Sequence, residues 1–156
     1  MSRDRRDSWI GLLSFGFFIM LFALFFLIVP NYGDRVVEFF RNFELKEIAP
    51  NLFLPAPEQH HPVVYETVMQ FSLIFGIFQF FLLGLRLYIR STLTRIAETV
   101  SNIVFWLGAG YMFYLLRWNP VRFWFPFIGG IIAVVGFSII ARSLVTLLFW
   151  RWRGET

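Results

Sequence analysis

Glu66 and Gln70 are the residues whose types and spacing first suggest chemistry, because they stand one helical turn apart in an otherwise apolar stretch. A carboxylate and a carboxamide on one helix face could attract a cation or proton and line a path near the mouth of a pore. Position offers a plainer account. Glu66 falls in the first turn after Pro62, where the helix dipole favours a carboxylate and water is in reach. Gln79, Arg86 and Arg90 lie on roughly the opposite face, since Glu66 to Arg86 is a rotation of ~200°. Arg86 and Arg90 sit near the end of the run, where long stems snorkel to headgroups. With Arg151 and Arg153 of the C-terminal tail they are the expected contacts for anionic lipids.

A second set lies further along. Ser138, Arg142 and Thr146 share one helical face, opposite Gly129, Ala133 and Gly136. The small residues read as a helix-packing seam, because Gly and Ala let backbones approach closely. Arg142 lies deeper than the other arginines, so it either snorkels or forms an intramembrane ion pair with Glu98, at the same level of the neighbouring helix. Gly108-Ala109-Gly110 reads as another point of close packing.

Other chemistries find little support. Glu58, His60, His61 and Glu66 could suggest a metal site, but adjacent histidines in an extended segment point to opposite sides and chelate poorly. No histidine lies inside an apolar run to serve as a haem ligand. The chain has 0 cysteines, which excludes thiolate metal sites and cysteine catalysis. No zinc-protease, serine-hydrolase or phosphate-loop motif occurs. The expectation is a non-enzymatic protein with no metal and no cofactor.

The elements that must position these residues are long apolar runs. Phe123 to Trp150 carries one charge, Arg142, and as a helix would be ~42 Å long, against a hydrocarbon core of ~30 Å. Of the 156 residues, 58% are hydrophobic and 15% charged, where a soluble chain has ~25% charged, and 22 are phenylalanine. The formal charge of +4 comes from basic residues at the ends of apolar runs, the distribution of a membrane protein and not of a nucleic-acid binder. The first run, Trp9 to Val29, is longer than a signal-peptide core and lacks a small-residue cleavage pattern, so it reads as a retained span.

The predicted fold is all-α: one integral membrane domain over 1–156, a four-helix bundle with spans at about 9–29, 63–90, 97–118 and 123–150. The outer segment, 30–62, carries a short interfacial amphipathic helix. Val36, Val37, Phe39, Phe40 and Phe43 form its apolar arc, and Asp34 is the expected N-cap. Pro50, Pro55, Pro57 and Pro62 enforce an extended path beyond it, with Leu52-Phe53-Leu54 as an apolar foot towards lipid or a partner.

Four spans put both termini on one side. Arg3, Arg5, Arg6, Arg86, Arg90, Arg95, Arg151 and Arg153 outnumber Arg35, Arg41, Lys46, Arg117 and Arg122, which favours cytoplasmic termini in the cell membrane. Ala97-Glu98-Thr99-Val100-Ser101-Asn102-Ile103-Val104-Phe105-Trp106, preceded by His61-Pro62-Val63-Val64-Tyr65-Glu66, resembles small four-span membrane proteins of archaea. The resemblance spans roughly 58–146 and implies a prokaryotic cell membrane, with no catalytic residues to carry over. The expected role is an accessory, scaffolding or assembly subunit, in a homo-oligomer or a larger membrane complex. The alternative is an ion- or proton-conducting pore or transporter component lined by Glu66 and Gln70.

Overall fold

The computed structural model describes the backbone of residues 3–118 and 120–154 and the side chains of 7–47, 50–118 and 124–149. In chain order the elements are α1 (Arg3–Ile28), α2 (Tyr32–Arg41), β1 (Phe43–Ala49), β2 (Leu52–Pro57), α3 (Pro62–Tyr88), α4 (Leu93–Trp118) and α5 (Pro120–Gly154). Four of the helices contain segments long and apolar enough to cross a membrane: Asp7–Ile28, Pro62–Tyr88, Leu93–Trp118 and Trp124–Phe149.

The long helices pack in the order α1, α3, α4, α5, with α3 and α4 central and α1 and α5 flanking. A heptad stripe on α3 faces this packing, with Tyr65, Ser72, Gln79 and Arg86 all buried seven residues apart. Paired notches then set the helix spacing. A Cβ at Gly76 would stand 2.8 Å from Leu107, and one at Gly110 would stand 2.8 Å from Leu73, so each leucine seats on the other helix's glycine. A second pair joins α4 to α5, where Gly108 receives Val134 and Gly130 receives Met112. Gly108 and Gly110 thus serve opposite neighbours of α4. Aromatic rings fill the α1 side, with Trp106 against Phe75 at 5.0 Å and Phe18 at 6.1 Å between centroids.

The outer segment differs from the sequence expectation. The short helix is present as α2, but it begins at Tyr32, and Asn31 precedes it in a left-handed conformation (φ 53°). Asn tolerates that conformation, so the chain turns after Pro30 and Asp34 falls in the first turn of the helix instead of at its cap. The proline-rich stretch is not a lone extended path. It is the second strand of an antiparallel hairpin, with Phe43 opposite Pro57 and Leu45 opposite Pro55. Pro50 followed by Asn51 at φ 64° makes the tight turn, the residue order that a type II turn favours. Prolines are tolerated here because both strands of a two-stranded ribbon are edges.

The hairpin is fastened to the helices. Glu58 N–H donates to the Asn42 carbonyl at 2.9 Å, and Trp124 Nε1 donates to the Pro55 carbonyl at 3.0 Å. Ala56, Tyr65, Leu116 and Trp124 form a small buried cluster beneath, flanked by Phe39, Phe43, Phe113 and Phe127. Trp124 is 8% exposed and roofed by the hairpin.

Candidate functional site

Polar groups gather at the two ends of the helices. At the hairpin end, Gln70 Nε2 donates to Glu66 Oε1 at 3.5 Å, and Arg117 Nη1 of α4 stands 3.4 Å from the same oxygen. Both charged side chains are more than a third exposed, so Glu66 is a water-reaching, partnered carboxylate at a helix start. The Arg117 guanidinium also lies 5.8 Å from the Trp118 ring centroid.

At the other end is a knot that the sequence reading only partly anticipates. Asp7 of α1 is buried, and its Oδ1 accepts from the Ser91 hydroxyl at 2.5 Å, tying the first helix to the α3–α4 turn. Arg86 is 8% exposed and turns inward instead of snorkelling to headgroups. Its Nη1 donates to the Arg95 carbonyl at 2.6 Å, and its Nε has no hydrogen-bond partner among the described residues. The reason lies in the heptad stripe, which carries Arg86 to the packed side of α3, where the Arg95 carbonyl, which also accepts from the Thr99 hydroxyl at 2.9 Å, receives it. Arg90 stays exposed beyond the helix end, at φ 54°.

Glu98 of α4 joins the knot to the last helix. Its Oε2 lies 3.1 Å from Arg95 Nη1 and its Oε1 lies 3.4 Å from Arg142 Nη2. Between the two ends, single polar ties cross the apolar layer. Gln79 Nε2 of α3 donates to Ser14 Oγ of α1 at 3.3 Å, and Ser101 Oγ of α4 donates to the Ser138 carbonyl of α5 at 2.8 Å.

The expected seam on α5 meets nothing among the described residues. Added Cβ atoms at Gly129 or Gly136 find no atom within 4 Å, and Ala133 is exposed. The packed face of α5 is the one bearing Trp124, Val134 and Ser138, a face that uses Gly130 and not Gly129 as its notch. Arg151 and Arg153 lie outside the residues whose side chains are described.

His61 is buried and accepts from the Asn42 amide at its Nε2 (3.2 Å), while its ring meets Phe39 edge to face. His60 is exposed beside Tyr65. Among the described residues no three His, Cys, Asp or Glu side chains converge as a metal-binding group. Burial raises the Tyr32 phenol above the usual tyrosine pKa.

Asp7, which precedes the span expected at 9–29, is a structural residue that sequence reasoning missed. The available signal was the spacing of Ser72, Gln79 and Arg86, three polar residues seven apart in an apolar helix, which marks a buried face needing partners. No family model, curated protein or solved structure matches the chain.

Proposed function

We propose that the chain is an integral protein of the cell membrane, with its four apolar helices spanning the bilayer and both termini in the cytoplasm. Its role in this reading is non-enzymatic: an accessory or scaffolding subunit that assembles with its own copies or within a larger membrane complex. The outer face of α5 carries the reading. Gly129 and Gly136 leave it open to close backbone approach, and a Cβ added at either would meet no atom of the described residues within 4 Å. The flanking helices support the membrane placement, with Phe15, Leu27, Ile132 and Leu147 all more than 60% exposed, a surface suited to acyl chains or a partner helix and not to water.

Replacing Gly129 and Gly136 together with leucine tests the role. The expected result is loss of assembly in mild detergent, read by cross-linking and light scattering, with an unchanged helical spectrum. Unaltered assembly would overturn it. A conducting pore is the other reading of Glu66 and Gln70, and the Arg117 partner weighs against it by neutralising the carboxylate. Ion or proton flux in liposomes that Glu66→Gln abolished, with assembly intact, would reverse that preference.

A further inference from the structure

Three cavities follow one another along α3 from the end covered by α2, and their chemistry changes along the line. The outermost, about 180 Å³, has a polar rim of Arg35, Glu38, Gln59, His60 and His61. Val64 separates it from a second cavity of about 390 Å³, whose wall is almost wholly apolar and includes Phe39, Phe40, Tyr65 and Trp124. Tyr32 and Val68 in turn belong both to this cavity and to a third, about 260 Å³, formed between Phe18, Phe22 and Phe25 of α1 and Phe71 and Trp106 of the central helices.

Val64, Val68 and Phe71 follow one face of α3, so the line descends ~10 Å from the helix start into the apolar layer. Volumes of this order with apolar walls and a few polar groups at one end are typical of small-molecule sites.

Two further observations point to an occupant. Arg35 and Glu38, one turn apart on α2, share the polar rim, and neither forms a salt bridge among the described residues. Tyr65, in the wall of the middle cavity, is 1% exposed, and its hydroxyl has no hydrogen-bond partner among the described residues. A buried hydroxyl without an acceptor is costly and rare.

We propose that this line of cavities holds one zwitterionic phospholipid of the outer leaflet. The phosphate sits at Arg35, the ammonium at Glu38 and one acyl chain under α2, and an ester carbonyl is the acceptor that the Tyr65 hydroxyl lacks. The rim matches both charges of such a head, whereas a purely anionic lipid would leave Glu38 opposed. The site rests on the membrane placement proposed above. Alkaline carbonate extraction tests that placement separately, so failure of one is distinguishable from failure of the other.

Trp124 supplies the readout, because it lines the middle cavity yet is 8% exposed and shielded from bulk lipid. In a protein with Trp9, Trp118, Trp150 and Trp152 replaced by phenylalanine, which keeps Trp106 and Trp124 in the cavity walls, phosphatidylethanolamine with brominated acyl chains is titrated into the detergent-solubilised, delipidated chain. The expected result is saturable quenching at about one lipid per chain, with brominated phosphatidylglycerol requiring severalfold higher concentration. Glu38→Gln should remove that preference, and Val68→Phe, which narrows the passage to the third cavity, should weaken quenching about tenfold. Absent or unsaturable quenching overturns the site. So does quenching that is unchanged by Val68→Phe in a variant whose helical spectrum and thermal transition match the parent. Equal quenching by the two lipids overturns the headgroup assignment.

Discussion

Two glycine-to-alanine changes, one residue type at two addresses, give the sharpest prediction about packing. At Gly108 the added methyl would stand 2.7 and 2.9 Å from the two γ-carbons of Val134, where ordinary carbon contacts are ~3.5–4.0 Å. At Gly129 it would meet no atom within 4 Å. Both positions are interior to helices, so the gain in helix propensity from glycine to alanine, ~0.5–1 kcal/mol, is common to the two and cancels in their comparison. What remains is the overpacking cost at Gly108. Val134 is β-branched, with little rotamer freedom to withdraw, so α4 and α5 must separate, at ~1–3 kcal/mol. Gly108→Ala should therefore be less stable than Gly129→Ala by that amount, about a 5- to 150-fold difference in unfolding equilibrium. The assay is reversible unfolding in mixed micelles with increasing sodium dodecyl sulfate, followed by circular dichroism at a dilution where the chain is monomeric. Equal stabilities, or a more damaging change at Gly129, would refute the assignment of packed and open faces on α5.

Asp7→Asn keeps a hydrogen bond from Ser91 available but removes the buried charge that strengthens it. Its stability should fall by ~1–3 kcal/mol in the same unfolding assay. A larger part of the loss should appear as detachment of α1, read by faster hydrogen exchange around Ser14 and Gln79. Trp124→Phe keeps the ring packing but removes the donor to the Pro55 carbonyl, at ~1 kcal/mol, and should raise proteolysis within 43–57 without altering the helical spectrum. Glu98→Gln breaks contacts to two arginines that are each about half exposed, so its cost should stay within ~1 kcal/mol and shrink with added salt.

The long helices were legible because length and hydropathy alone define them, and the boundaries near Pro62 and Trp118 are marked by proline and by an Arg-Trp pair. The amphipathic helix α2 was legible from its single apolar arc. The hairpin was not. Glu44 to Glu47 alternate only weakly, and four prolines argue against a strand unless the pairing is a ribbon with two free edges. The packing face of α5 was misjudged for a different reason. Small residues identify where a helix can approach another closely, and both Gly129 and Gly130 qualify, yet adjacent positions point ~100° apart. Only the partner side chain, Met112 in one case and none among the described residues in the other, separates them. Arg86 was likewise assigned by its distance from the helix end, when its heptad relation to Ser72 and Gln79 decides its direction.

Membrane topology underlies the proposed role and the proposed lipid site alike, and the absence of native cysteines makes it directly measurable. Single cysteines at Glu58, beside the hairpin, and at Thr92, in the α3–α4 turn, are exposed positions at opposite ends of α3. Intact cells are labelled with a membrane-impermeant maleimide, with and without permeabilisation. The account predicts that Glu58→Cys reacts in intact cells and that Thr92→Cys reacts only after the membrane is opened. Reaction of both positions in intact cells, or release of the protein by alkaline carbonate, would contradict it.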